Sequence, residues 1–228
     1  MIINHQYRFI FLKTRKTAGT SIEIALSKYC GDGDVISPIR GLDEGIRRER
    51  GYPGPRNHVA PLRLYDWEDL KRLARRRKRK RLAHANARFA RRFVGNEIWN
   101  NYFKFCFERT PFDKAISRYY WRTLQPRPPI ADFLATRSRH HLSDWETYTL
   151  DGRIAVDFIG RYERLESDLA AITERLGLPE PLDLPRAKAD TRSNREHYSR
   201  VLDPRARALV ENVCAREIEA FGYHWTEG

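Results

Sequence analysis

Phe9-Ile10-Phe11-Leu12-Lys13-Thr14-Arg15-Lys16-Thr17-Ala18-Gly19-Thr20-Ser21 passes from an apolar run through a cationic turn into small and hydroxyl-bearing residues. Ile22, Ala25, Leu26 and Tyr29 then follow at helical spacing. Strand, small-residue loop and helix in that order make an anion site. The loop lets backbone N–H groups approach a ligand, and the helix adds its unsatisfied N–H groups and the positive end of its dipole. The hydroxyls of Thr17, Thr20 and Ser21 add donors. In the pattern G-x-x-x-x-G-K-[ST] the lysine follows the last glycine, whereas here Lys16 precedes Gly19, so ordinary ATP or GTP binding fits poorly. Gly, Thr and Ser also occur at strand-to-helix turns as plain capping chemistry. Lys13, Arg15 and Lys16 beside them favour a ligand.

With 228 residues the chain can form one sizeable core, and the expectation is a single domain over 1–228 with an irregular, Arg-rich helical excursion at about 35–100. A formal charge of +13 implies an anionic partner without naming it. Cys30, Cys106 and Cys214 are widely spaced and odd in number, which suggests neither a disulfide framework nor a zinc site and favours a reducing compartment. Met1 to Gln6 reads as short and polar, with no secretory signal, and no long apolar run follows. A soluble, cytoplasmic protein is expected.

Tyr7 to Leu12, Tyr102 to Glu108 and Phe158 to Tyr162 read as strands. Ser21 to Tyr29, Pro111 to about Trp121, the stretch before Leu176 and Pro204 to Phe221 read as helices, with short ones near Ile130 to Thr136 and Ser143 to Tyr148. Asp66 to Phe93 reads as two helices parted near the Arg75–Arg81 run. The fold class is α/β, a central parallel sheet flanked by helices like that of P-loop-containing nucleotide hydrolases. Arg109, at a strand end, then faces the crevice where such sheets bind ligands, and its planar fork suits a phosphate. Ser117 lies two turns inside the following helix.

With the loop at 16–21, R-T-P-F-D-K-A-I-S-R-Y-Y at 109–120 and R-Y-E-R-L at 161–165, the chain resembles the carbohydrate sulfotransferases related to the heparan and chondroitin enzymes. K-T-R-K-T-A-G-T-S and the closing Phe221-Gly222-Tyr223 resemble a bacterial-type subset, and the likeness runs in order from Phe9 to Trp225. Thr110, where relatives more often carry Asn or Asp, and Arg15, where many have Pro, depart from the pattern. The resemblance implies 3′-phosphoadenosine 5′-phosphosulfate (PAPS) as sulfuryl donor. Arg15, Lys16, Thr17, Ala18, Gly19, Thr20 and Ser21 would hold its 5′-phosphosulfate, Arg109 and Ser117 its 3′-phosphate, and Arg192, with Lys188, would belong to a late basic loop closing over it.

Sulfuryl transfer needs a group to take the acceptor's proton, and imidazole suits neutral pH. His84 matches the family segment that links the catalytic histidine to the second motif. His58 is next, then Glu23 or Glu108. Lys16 would answer the charge growing on the leaving phosphate oxygen. No metal is expected. The acceptor is a hydroxyl on a carbohydrate or glycolipid, anionic if the basic runs Lys71–Arg81 and Arg88–Arg92 face it. Those runs also suit peripheral contact with an anionic membrane, while no recognisable nucleic-acid motif accompanies them. Two other classes remain open: a small-molecule kinase needing ATP and Mg²⁺, and a non-catalytic nucleic-acid or membrane binder.

Overall fold

The computed structural model describes residues 1–39, 41–76, 82–136, 141–185 and 196–228. In chain order the elements are β1 (Ile2–Asn4), β2 (Phe9–Phe11), α1 (Gly19–Ser27), β3 (Val35–Ile36), α2 (Leu42–Glu49), α3 (Trp67–Arg76), α4 (Ala87–Asn101), β4 (Phe103–Glu108) and α5 (Pro111–Arg122). There follow α6 (Ile130–Ala135), α7 (Trp145–Tyr148), β5 (Thr149–Leu150), β6 (Arg153–Ile154), β7 (Phe158–Arg161), α8 (Leu165–Leu176), α9 (Tyr198–Val201), α10 (Pro204–Val213) and α11 (Ala215–Phe221).

The central sheet has the order β3-β1-β2-β4-β7. It is mixed, which corrects the expectation of a parallel sheet: β2, β4 and β7 run parallel, but β1 is antiparallel to both β2 and β3. The cause lies in the segment read as polar. Ile2 and Ile3 are fully buried, and only residues 5–8 separate Asn4 from Phe9. Such a short connection can join only antiparallel strands. The Asn4 side chain accepts the Tyr7 N–H, and Arg8 turns the chain with a φ of +52°. β5 and β6 form a separate small hairpin.

Alternation along β2 and β4 divides the core. Phe9, Phe11, Phe105 and Phe107 face α1 and α8, packing with Ile22, Leu26, Leu169 and Ile172. Ile10, Leu12 and Cys106 face the other way, toward Met1, Leu82, Trp99 and Tyr148. A side chain at Gly160 of β7 would run into the Phe107 ring, which explains the glycine there. A third cluster joins α5, α6, α9 and α10 around Phe112, Ile116 and Val210.

The parting of α3 from α4 agrees with the sequence reading, as does α8 ending at Gly177, whose φ is +62°. The single last helix does not. It breaks at Cys214 (φ −105°, ψ 21°), and Glu217 of α11 turns inward to accept from the Ser143 hydroxyl and from the Asp144 and Trp145 N–H groups at the start of α7. All three cysteines are buried and free.

Candidate active site

Parallel pairing brings the loops after β2 and β4 out at one edge of the sheet, where the Leu12 N–H donates to the Phe105 carbonyl at 2.9 Å. The first loop is locally strained. Lys16 and Ala18 both have left-handed backbones (φ +62° and +56°), a conformation costing about 1–3 kcal/mol for a residue with a side chain. Surrounding contacts hold it. The Thr14 hydroxyl donates to the Phe107 carbonyl, so its contact with Thr17 at 2.8 Å is made with the Thr17 proton. Thr17, expected to offer its hydroxyl to a ligand, is buried and turned to the loop's own support. Gly19 is glycine because a side chain there would collide with the Lys13 stem. α1 then begins with no side-chain cap, and Gly19, Thr20 and Ser21 form its first turn.

Arg109 joins the two loops. Its guanidinium donates to the Lys16 carbonyl at 3.4 Å, stacks over Tyr162 at 4.2 Å and lies 3.9 Å from Asp113, while its buried Nε has no partner. An orphaned buried donor on a cation, beside an uncapped helix start, fits an anionic ligand. The residues 161–165 support this arrangement: Tyr162 supplies the ring under Arg109, and the Glu163 carboxylate accepts the Thr110 N–H at 2.7 Å. That N–H contact secures the turn without an Asn or Asp side chain at position 110. Ser117 is half-buried, one turn beyond Asp113 and one before Trp121. The Lys16 ammonium lies 5.2 Å from the centre of the Trp121 ring, so this face of α5 looks onto the loop.

Beneath the site runs a buried ionic chain. Lys114 pairs with Glu108 and, at 2.8 Å, with Asp144; Asp144 also accepts the Arg15 N–H at 2.9 Å and its guanidinium at 2.7 Å. Tyr148 donates to the remaining Glu108 oxygen at 3.0 Å. Burial works against the Lys114 charge, but Asp144 and Glu108 outweigh it and hold the ammonium above its ordinary range. Burial raises Glu108 against the pull of Lys114, whereas Lys114 and Arg15 overcome burial at Asp144 and lower it. Arg15 thus anchors the loop through Asp144. Neither Lys114 nor Asp144 stood out in the sequence, although Lys114 lies inside the second motif.

On α1, Glu23 is fully buried among Lys13 (2.6 Å), the Met1 ammonium (2.9 Å) and Ser37. Burial pulls the amine down to about 6, while the same carboxylate, despite its own burial, is drawn down to about 2 by the amine and Lys13. The two directions oppose each other across one ion pair. The amine sheds its proton first as pH rises, and Lys13 keeps Glu23 charged. Glu23 and Glu108 are both enclosed and engaged, which leaves neither open to an acceptor as a base.

His84 stands at the edge of this cluster, exposed on one side and crowded on the other. Crowding out of water, then the charges of Lys13, the Met1 amine and Arg15, lower its imidazole to about 4, against a hydrogen bond to the Lys13 backbone. The ring is reached from its exposed side, and the cations lower it in the same direction as the burial of its other side. The ring is neutral at pH 7 and able to accept a proton. His58 is the neighbour of this segment, its carbonyl accepting the Leu82 N–H at 3.1 Å. Arg192 and Lys188 lie outside the described residues, as do Arg77–Arg81. Among the described residues no cluster of three or more His, Cys, Asp or Glu is placed to hold a metal ion, and no helix is long and apolar enough to cross a membrane.

Residues 1–224 match a family model described as "Sulfotransferase family". The chain is also similar to an "Uncharacterized protein" of Archaeoglobus fulgidus, 35% identical over 97 residues that make up 40% of this chain and 81% of that one. No solved structure matches.

Proposed function

The chain belongs to the sulfotransferase family, and from that premise we propose that it moves the sulfuryl group of PAPS to a hydroxyl of a carbohydrate or glycolipid. The observation that carries the reading is Arg109, whose guanidinium meets the Lys16 carbonyl and keeps a buried, unpartnered Nε at the mouth of the loop. Two anion sites thereby become one crevice, as a donor with phosphates at two positions requires. The α/β sheet with its anion loop between β2 and α1 supports a P-loop-like fold for the same reason.

Gly19 to Ser21 at the start of α1, with Lys16, would hold the 5′-phosphosulfate; Arg109 and Ser117 would hold the 3′-phosphate. Bound there, PAPS supplies an activated sulfuryl group on a phosphate leaving group. Lys16 answers the charge that grows on the leaving oxygen, an interaction stronger in the transition state than before it. Neutral His84, at the exposed edge beside Lys13 and Arg15, takes the acceptor's proton. Arg15, Thr14 and Thr17 act through the loop, keeping the strained backbone of Lys16 and Ala18 in place. The test is metal-free stabilisation by 3′,5′-adenosine diphosphate in thermal melts. A rise in melting temperature with that bisphosphate, exceeding any rise with ATP and Mg²⁺, is expected. Stabilisation by ATP and Mg²⁺ alone would transfer the protein to the kinase class.

A further inference from the structure

We infer that the segment from Val59 through α3 is a docking face for an anionic lipid bilayer. Among the described residues seven large hydrophobic side chains are exposed, and four of them, Val59, Leu62, Trp67 and Leu70, fall in this one stretch. Trp67 is 69% exposed and Leu62 62%. The stretch is held to the body by other residues, since Ala60, Leu64 and Asp69 are buried. The apolar side chains on the outside are therefore surplus to the core. On α3, Trp67, Leu70, Lys71 and Ala74 fall at i, i+3, i+4 and i+7, a stripe on the outward side of the helix.

Cations accompany the stripe. Arg63 and Arg75 are exposed, and the Lys71 ammonium lies 5.5 Å from the Trp67 ring centre while pairing with Glu68 at 2.8 Å. By composition, residues 59–76 carry five Lys and Arg against three Asp and Glu. An exposed tryptophan and leucines amid an excess of cations match the interfacial region of a bilayer, where rings and aliphatic chains enter the headgroup boundary and cations meet lipid phosphates. A second copy of the chain would bring the same cations against these. Nucleic acid would answer the charge and leave Leu62 and Leu70 exposed to water. An anionic membrane satisfies both features. The inference is independent of the donor and of the acceptor chemistry.

The experiment is co-sedimentation of the full chain with vesicles of phosphatidylcholine alone and of phosphatidylcholine with phosphatidylglycerol. Binding to the anionic vesicles only, weakened by added salt, is expected. Trp67→Ala with Leu70→Ala, and separately Lys71→Glu with Arg75→Glu, should each weaken it at least about tenfold with unchanged thermal melts. Absence of binding to anionic vesicles, or equal binding by both double variants, overturns the proposal. So does a dimer in sedimentation equilibrium, or salt-sensitive binding to duplex DNA, that the same variants abolish in place of vesicle binding.

Discussion

The carboxyl edge of the sheet and the excursion between β3 and α4 are built on opposite plans. At the edge, Arg15, Glu108, Lys114 and Asp144 form one chain of ion pairs, Thr14 bonds the Phe107 carbonyl and Thr17, and the strained backbone at Lys16 and Ala18 is supported from β4, α5 and the residues before α7. The excursion leaves Leu62, Trp67 and Leu70 in water and carries two histidines, His58 and His84, the second at its inner end. The difference teaches that, on the proposed function, binding the donor and receiving the acceptor would rest on separate physical grounds. A cleft that must hold several negative charges in register is pre-organised by buried ion pairs. A surface that meets an acceptor needs only reach and one proton acceptor.

The largest expected effect follows from breaking the buried chain. Lys114→Met leaves Glu108 enclosed without its cation and Asp144 with Arg15 alone, and should cost about 3–5 kcal/mol of stability, read as a lower urea midpoint. Trp67→Ala on the excursion should change stability by no more than about 0.5 kcal/mol. Similar losses from the two would erase the contrast.

His84→Ala comes next, with a turnover loss of roughly a hundredfold or more and little change in affinity for the adenosine bisphosphate. The sign of its pH dependence is fixed by the lowered imidazole. The base is neutral above about 4 and protonated below it, so wild-type kcat/KM should hold from neutral pH downward and fall only near 4. That acid limb should be missing in the variant. A limb near the ordinary histidine value would mean that the ring is neither crowded out of water nor faced by the cations of Lys13 and Arg15.

Sequence legibility followed the same division. The strand, loop and helix around Lys16 to Ser21 and the Arg109 to Ser117 segment could be read because apolar runs and a helix-starting proline punctuate them. β1 could not, since three residues show no period and its burial is imposed by pairing with β2 and β3. The partnership of Lys114 with Asp144 spans a gap in sequence that no local pattern encodes. Trp121 was within reach: it stands one helical turn after Ser117, and that spacing alone puts it on the face that meets Lys16. The inward turn of Glu217 depends on a break at Cys214, which carries neither Gly nor Pro.

The smallest effect is expected at Ser117, half-buried on α5. If Ser117 holds the 3′-phosphate as proposed, Ser117→Ala removes one hydrogen bond and should weaken 3′,5′-adenosine diphosphate by about 0.5–1.5 kcal/mol, measured by calorimetric titration. No change would leave Arg109 as the sole anchor of the 3′-phosphate.

Arg109 itself offers the most direct measurement, a metal-free calorimetric comparison of 3′,5′-adenosine diphosphate with 5′-adenosine monophosphate on the wild-type chain and on Arg109→Ala. If the guanidinium holds the 3′-phosphate, the wild type prefers the bisphosphate. The variant then loses about 1.5–3 kcal/mol for that ligand and almost nothing for the monophosphate, so the two affinities converge. A wild-type chain indifferent to the 3′-phosphate, or a variant weakened equally toward both nucleotides, would contradict the assignment of this crevice to the donor.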